Sequence, residues 1–220
     1  AALGNWPITR LQVRVLEHSE DANGFAGTYL RQAQTYDRTR SAGRETLDPL
    51  LAALAKAPGL YVLDIGGGTG NYAMALANEG FDVLVLDRSE DMLAVASSKG
   101  LRVRQGVATN LSEPDEFADA VTMISMLHQV PDWVAALHEA QRVLRPSGIL
   151  CLLLYTLEHM ESHFFLEYFP SSRAWAVKDM RPNSEYLDAL PGASVLPLQI
   201  RGVDDLTMHV MRRHPSLALD

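Results

Sequence analysis

From residue 60 onward the hydrophobic pattern has a regular beat. Residues 60–65, 81–87, 101–105, 118–125 and 148–155 are short runs dominated by apolar side chains. Such runs predict strands buried on both faces. Between them lie segments with helical spacing. Residues 70–79 form one, stopped by Gly80. A second opens at Ser89, a hydroxyl cap, with Glu90 and Asp91 in its first turn to suit the positive end of the helix dipole. A third, residues 131–144, carries Trp133, Ala136, Leu137, Ala140, Val143 and Leu144 on one face and ends at Arg145-Pro146-Ser147-Gly148. Buried strands alternating with helices predict a mostly parallel sheet covered on both sides, a doubly wound α/β fold.

The pattern is different on either side of this core. Residues 1–58 read as an N-terminal helical cap: Phe25, Tyr29, Leu30, Ala33 and Tyr36 share a helix face, and residues 46–57 are rich in helix formers up to Pro58-Gly59. Residues 59–156 are the core. Residues 157–192 read as a helical lid inserted after the fifth strand. Six of the chain's sixteen aromatics lie there (Phe164, Phe165, Tyr168, Phe169, Trp175 and Tyr186), together with His159 and His163. Residues 193–220 return to the sheet through a sixth strand at 195–200, and a helix is expected at 204–214. A seventh strand is not evident.

Composition narrows the partners. With 220 residues, 47% hydrophobic and 21% charged, the chain has a globular balance and length enough for its own core. A net charge of −8 disfavours nucleic acid, whose binders need a basic face. The single Cys151, inside an apolar run, excludes an internal disulfide and a multi-cysteine metal site, and no metal is expected. The apolar runs fall well short of the ~18 residues of a membrane span, and residues 1–10 lack a basic-then-apolar leader. A cytoplasmic monomer or homodimer acting on a small molecule is the expectation.

The chemistry concentrates in Val62-Leu63-Asp64-Ile65-Gly66-Gly67-Gly68-Thr69-Gly70, where a buried strand enters a glycine-rich turn that opens a helix. Open α/β sheets bind ligands at such strand ends, and glycines let a ligand reach bare backbone. A dinucleotide fingerprint needs glycines at the first, third and sixth positions. The sixth here is Asn71, which argues against an NAD-binding oxidoreductase, and the spacing is Asp-x-Gly-x-Gly-x-Gly instead.

With this loop the sequence resembles the class I S-adenosylmethionine-dependent methyltransferases, most closely the type 11 group that includes the ubiquinone and menaquinone C-methyltransferases. Three further segments resemble the family in the correct order: 83–93 (Val-Leu-Val-Leu-Asp-Arg-Ser-Glu-Asp-Met-Leu), 127–132 (Leu-His-Gln-Val-Pro-Asp) and 142–148 (Arg-Val-Leu-Arg-Pro-Ser-Gly). The resemblance covers about residues 60–156 and implies a Rossmann-like sheet with S-adenosylmethionine as cofactor and S-adenosylhomocysteine as product. It implies that Gly66, Gly68 and Gly70 bring backbone to the cofactor and that Asp64 helps hold the methionine ammonium. Asp87 would accept the ribose hydroxyls beside Arg88, and Met92 would supply an apolar face for the adenine. Tyr36 would close over the methionine end, and Ser125 would line the site after the fourth strand. Where the family commonly has Gly-Asp-Ala, this chain has Gly106-Val107-Ala108, so backbone groups of Val107 and Ala108, or the side chain of Asn110, would replace the missing acceptor.

Methyl transfer from a sulfonium is an in-line displacement, which rests on alignment and sometimes on a general base. Candidate bases are His128 after the fourth strand and Glu158 with His163 after the fifth, and Tyr36 is counted with the catalytic candidates. The expected acceptor is a small aromatic or heteroaromatic metabolite of specialised metabolism, methylated on C, N or O. A non-catalytic cofactor-binding subunit is the remaining alternative.

Overall fold

The computed structural model describes residues 11–14, 42–154, 156–161, 166, 170–178 and 180–196. Among these, seven strands form one sheet: β1 (Leu11–Arg14), β2 (Tyr61–Ile65), β3 (Asp82–Asp87), β4 (Arg102–Gln105), β5 (Ala118–Ile124), β6 (Leu144–Leu154) and β7 (Ser194–Leu196). Their order across the sheet is β4-β3-β2-β5-β6-β1-β7, and every pairing is parallel. The main helices are α1 (Arg44–Leu54), α2 (Asn71–Asn78), α3 (Glu90–Ser98) and α4 (Trp133–Arg142). Shorter ones follow: α5 (Leu157–Glu161), α6 (Arg173–Ala176) and α7 (Asn183–Ala189). No helix among the described residues is long and apolar enough to cross a membrane.

Each expected strand and helix of the core is present within a few residues of its expected ends. Ser89 caps α3, its hydroxyl accepting the Met92 N–H at 3.4 Å. Two apolar layers enclose the sheet. On one face Leu137, Ala136 and Ala140 of α4 pack with Leu63, Val121, Leu150 and Leu152; on the other Leu50, Leu54, Leu76 and Ala96 pack with Val62, Val85 and Ile149. Odd and even positions of β2 therefore feed opposite layers, as the alternation of Cβ directions along a strand requires.

Three features depart from the sequence reading. Four residues of the segment expected to be helical, Leu11-Gln12-Val13-Arg14, form a strand. They alternate apolar and polar side chains, and β1 fills the sixth position, between β6 and β7, by pairing with both. The predicted helix at 25–40 lies outside the described residues, as do residues 197–220. Second, Tyr186, counted with the aromatics of the lid, is fully buried in the main core, its ring edge-on to Trp133 at 5.2 Å. Third, β6 begins at Leu144, before Gly148, and its pairing with β5 shifts register between Ala118 and Ala120. Ser147 sits at that irregularity with φ of +65°, a conformation that costs a non-glycine residue about 1–2 kcal/mol.

The Arg-Val-Leu-Arg-Pro segment proves to be a structural clasp. Arg142 donates to both carboxylate oxygens of Glu139 at 2.8 Å, to Asp115 at 2.9 Å, and to the carbonyls of Glu113 at 2.8 Å and Leu111 at 3.3 Å. Glu139 in turn accepts the Leu111 N–H at 2.7 Å. This network fixes the loop that leads into β5. Arg145 does the same one turn on, donating to Asp119 at 2.8 Å, whose other oxygen accepts the Tyr61 N–H at 3.0 Å at the start of β2.

Replacing Arg142 by Ala leaves two carbonyls and two carboxylates without their donor and should destabilise the fold by about 2 kcal/mol at pH 7. The hydrogen bonds from Arg142 hold the Glu139 carboxyl below its ordinary 4.5. A lowered acid contributes stability above the ordinary carboxylate range and loses it as pH falls through the lowered value. The gap between wild type and R142A should therefore narrow between pH 7 and pH 3, as measured by urea unfolding at both.

Candidate active site

Strand β2 ends at Ile65 and the chain turns through Gly66–Gly70 into α2. The Gly66 and Gly67 N–H groups both donate to the Leu86 carbonyl, at 2.7 and 3.2 Å, so the turn is fastened to β3. The glycines have different duties. A side chain at Gly66 would meet Met126 at 2.8 Å; one at Gly67 would strike the Asp64 carboxylate; one at Gly70 would strike Leu101. These three allow close packing. Gly68 alone of the four faces open space, with nothing within 4 Å of where a Cβ would stand, and its φ of +55° is one that other residues rarely adopt. It is the point where the loop offers bare backbone to a ligand.

Two carboxylates flank this turn in contrasting states. Asp87, at the end of β3, accepts the Gly68 N–H at 3.0 Å on one oxygen and the Ser89 N–H at 2.9 Å on the other. Burial pushes its pKa up, and those two N–H bonds pull it back. Each carboxylate oxygen accepts two bonds, so capacity remains for the paired hydroxyls of a ribose. Asp64 is only 1% exposed. Its Oδ1 accepts from the Thr122 hydroxyl at 2.6 Å, and its Oδ2 has no partner among the described residues. Burial raises its pKa to about 7, against the Thr122 bond that lowers it, with the nearby Asp87 charge raising it further.

The remaining residues expected at the cofactor also gather at this edge of the sheet. Arg88 is exposed beyond β3, and its carbonyl accepts from Gln105 at 3.3 Å. Met92 and Leu93 are buried in the first turn of α3. The Gly106 N–H donates to the Asp87 carbonyl at 3.0 Å, which brings the loop after β4 beside Asp87. In that loop Val107 is 48% exposed and Ala108 is buried. Ser125, after β5, has φ of +50° and donates its N–H to the Leu153 carbonyl at 2.9 Å. Strained backbone of this kind clusters at functional sites. Lys99 braces the turn from the far end of α3, donating at 2.8 Å to the Thr69 carbonyl and to Asn71 Oδ1.

The candidate bases are not brought together. His128 is 7% exposed in a single helical turn after β5, its Nε2 3.4 Å from Gln129 Nε2. Glu158 on α5 accepts the Asn183 N–H at 3.0 and 3.1 Å and so caps the start of α7. That bond is not legible in the sequence, because the cap stands 25 positions upstream of the helix it serves. His163 and Tyr36 lie outside the described residues. Thr122 was missed, although a hydroxyl residue in the apolar run 118–125 was a signal.

Against known proteins, the methyltransferase-domain family matches residues 63–152. A demethylmenaquinone methyltransferase of Beutenbergia cavernae is 33% identical over 181 residues, covering 77% of this chain and 75% of that protein. The ubiquinone/menaquinone biosynthesis C-methyltransferase UbiE of a Caulobacter species is 30% identical over 198 residues, covering 78% of each. A crystal structure of a putative methyltransferase from an antibiotic biosynthesis pathway of Anabaena variabilis superposes with a TM-score of 0.70 at 26% identity, over 83% of this chain and 76% of that one. The chain belongs to the class I S-adenosylmethionine-dependent methyltransferases, in the group that holds the ubiquinone and menaquinone C-methyltransferases. It is an enzyme, its cofactor is S-adenosylmethionine, and the dinucleotide and non-catalytic alternatives are set aside. The residues present fit that cofactor: an unpartnered buried carboxylate oxygen for an ammonium, open space before Gly68, and a strand-end carboxylate with capacity for hydroxyls.

Two substitutions separate the duties in the loop. Asp87→Asn keeps shape and removes charge. Losing a charge-assisted bond worth about 1.5–3 kcal/mol should weaken S-adenosylhomocysteine binding tenfold or more by calorimetry, with circular dichroism unchanged. Gly68→Ala should cost about 1 kcal/mol of stability through its φ yet abolish detectable binding, whereas Gly70→Ala should destabilise the fold by about 1–3 kcal/mol through overpacking against Leu101.

Proposed function

We propose that the enzyme methylates a ring carbon of a quinol-type aromatic acceptor. The observation that carries this reading is the likeness to two methyltransferases named for menaquinone and ubiquinone synthesis, over about three quarters of each. Both names specify a quinone ring, and the second specifies a carbon acceptor.

When bound, S-adenosylmethionine supplies an electrophilic methyl group on a sulfonium. Asp64 pairs with its ammonium, Asp87 with its ribose, and Gly68 with the chain between them, while Met92, Val107 and Ala108 border the adenine. Ser125 lines the path from the fourth strand of the core to the acceptor. A quinol hydroxyl makes the neighbouring ring carbon nucleophilic. As the new C–C bond forms and the S–C bond breaks, the ring proton must leave to restore aromaticity. His128 is the residue we assign to take a proton from the acceptor: it follows β5 directly, and its Nε2 lies 3.4 Å from the Gln129 amide nitrogen. Glu158 serves as a helix cap, so of the two described candidates His128 is the one assigned as base.

A heteroaromatic metabolite of specialised metabolism is the second reading, favoured by the likeness to the antibiotic-pathway protein. Both are tested by incubating the enzyme with S-adenosylmethionine and equal amounts of a short-chain prenylated naphthoquinol, a phenol and a heteroaromatic amine. Mass spectrometry locates the methyl group. The proposal expects C-methylated quinol, with turnover falling at least a hundredfold in His128→Ala; an O- or N-methylated product with no quinol turnover refutes it.

A further inference from the structure

Thr122 has no place in the reading so far, and it is the only described side chain that hydrogen-bonds Asp64. The parallel register sets Asp64 of β2 directly beside Thr122 of β5. Thr122 is fully buried, and its neighbours along β5, Val121 and Met123, are fully buried apolar residues. A hydroxyl there has one evident use, the 2.6 Å bond to Asp64 Oδ1. That bond anchors one oxygen and fixes the carboxylate's rotation. The other oxygen, Oδ2, then stands against Gly67, inside the turn, buried and without a partner among the described residues.

We propose that Thr122 is the positioning residue of the cofactor site, clamping Asp64 so that a single free carboxylate oxygen faces the ligand's ammonium. An apolar residue at 122 would free the carboxylate to rotate, and the ammonium would meet an unaligned group. A clamp by donation also favours the charged form of Asp64, the form an ammonium requires. Among the groups around it, Asp87 on β3 opposes that charge, and β5 contributes no ionisable group beside it, only Thr122. Ligand binding should therefore displace a proton from Asp64, and cofactor affinity should fall as pH drops below about 7.

The test uses S-adenosylhomocysteine, which carries the same ammonium and needs no acceptor, so its outcome is independent of what the enzyme methylates. Calorimetry between pH 6 and pH 9 compares wild type, Thr122→Val, Thr122→Ser and Asp64→Asn. Thr122→Val should bind at least tenfold more weakly at pH 7, with the midpoint of its pH profile shifted upward and part of the affinity recovered at pH 9. Thr122→Ser, which restores the donor, should match wild type. In the Asp64→Asn background Thr122→Val should cost nothing further, because the two residues act as one unit. Wild type titrated in two buffers of different ionisation enthalpy should release a fraction of a proton that grows as pH falls, a result that stands even if Thr122→Val fails to fold. An equal loss at every pH, an additive double mutant, failure of Thr122→Ser to restore binding, or no proton release would each overturn the proposal.

Discussion

Everything in this site depends on where strand β2 stops. The strand is hydrogen-bonded to β3 on one edge and β5 on the other and buried on both faces, so it has no freedom to shift by a residue. A slip of one would exchange Leu63 and Ile65 with Val62 and Asp64 between the two apolar layers. That penalty pins Asp64 opposite Val85 and Thr122, and it pins the glycine turn one residue beyond Ile65. The chain leaves β2 for β3 on one side, while β5 lies on the other, so the turn opens at the point where the winding reverses. A crevice at such a point needs no special construction.

Fastening the turn from several directions is what makes it a binding element. The Leu86 carbonyl takes two of its N–H groups, Asp87 takes a third, Met126 sits under Gly66 and Leu101 under Gly70. Lys99 ties its exit to the end of α3. A loop ordered before the ligand arrives spends little binding energy on its own ordering. The remote clasps serve the same end. Arg142 and Arg145 hold the entry to β5, which carries Thr122 and leads to Ser125 and His128.

The core of the fold was legible because its strands are buried on both faces and its helices amphipathic, so the two periods separate cleanly along residues 60–155. The glycine turn and Asp87 were legible for a related reason: the fold admits few residue types at those places. What escaped the sequence is what tertiary pairing decides. Four alternating residues at 11–14 carry too little pattern to announce a strand, and only the open edge of β6 gives them a place. Glu158 looked like a base because it is an acid after a strand, yet the helix it caps begins 25 positions later. Tyr186 looked like part of an aromatic lid until α7 laid it against Trp133. Ser147 gave no hint that it holds a positive φ.

The two aspartates show how placement divides one side-chain type into two functions. Asp87 stands at the rim with both oxygens already accepting backbone N–H groups. Those two bonds offset part of the cost that burial imposes on its charge, and what it has left to offer is acceptor capacity, which suits neutral hydroxyls. Asp64 lies one strand inward, where the described polar groups that act on it are one hydroxyl donor and a second carboxylate nearby. Burial without a counter-charge makes the ionised form costly, so at neutral pH its protonated and ionised forms lie close in free energy. Such a group gains most from a cation, because a cation removes the cost that burial imposes. A ligand carrying hydroxyls at one end and an ammonium at the other therefore finds a partly compensated acceptor and a less compensated charge in the order it needs them. The gradient of burial across two adjacent strands sets that order.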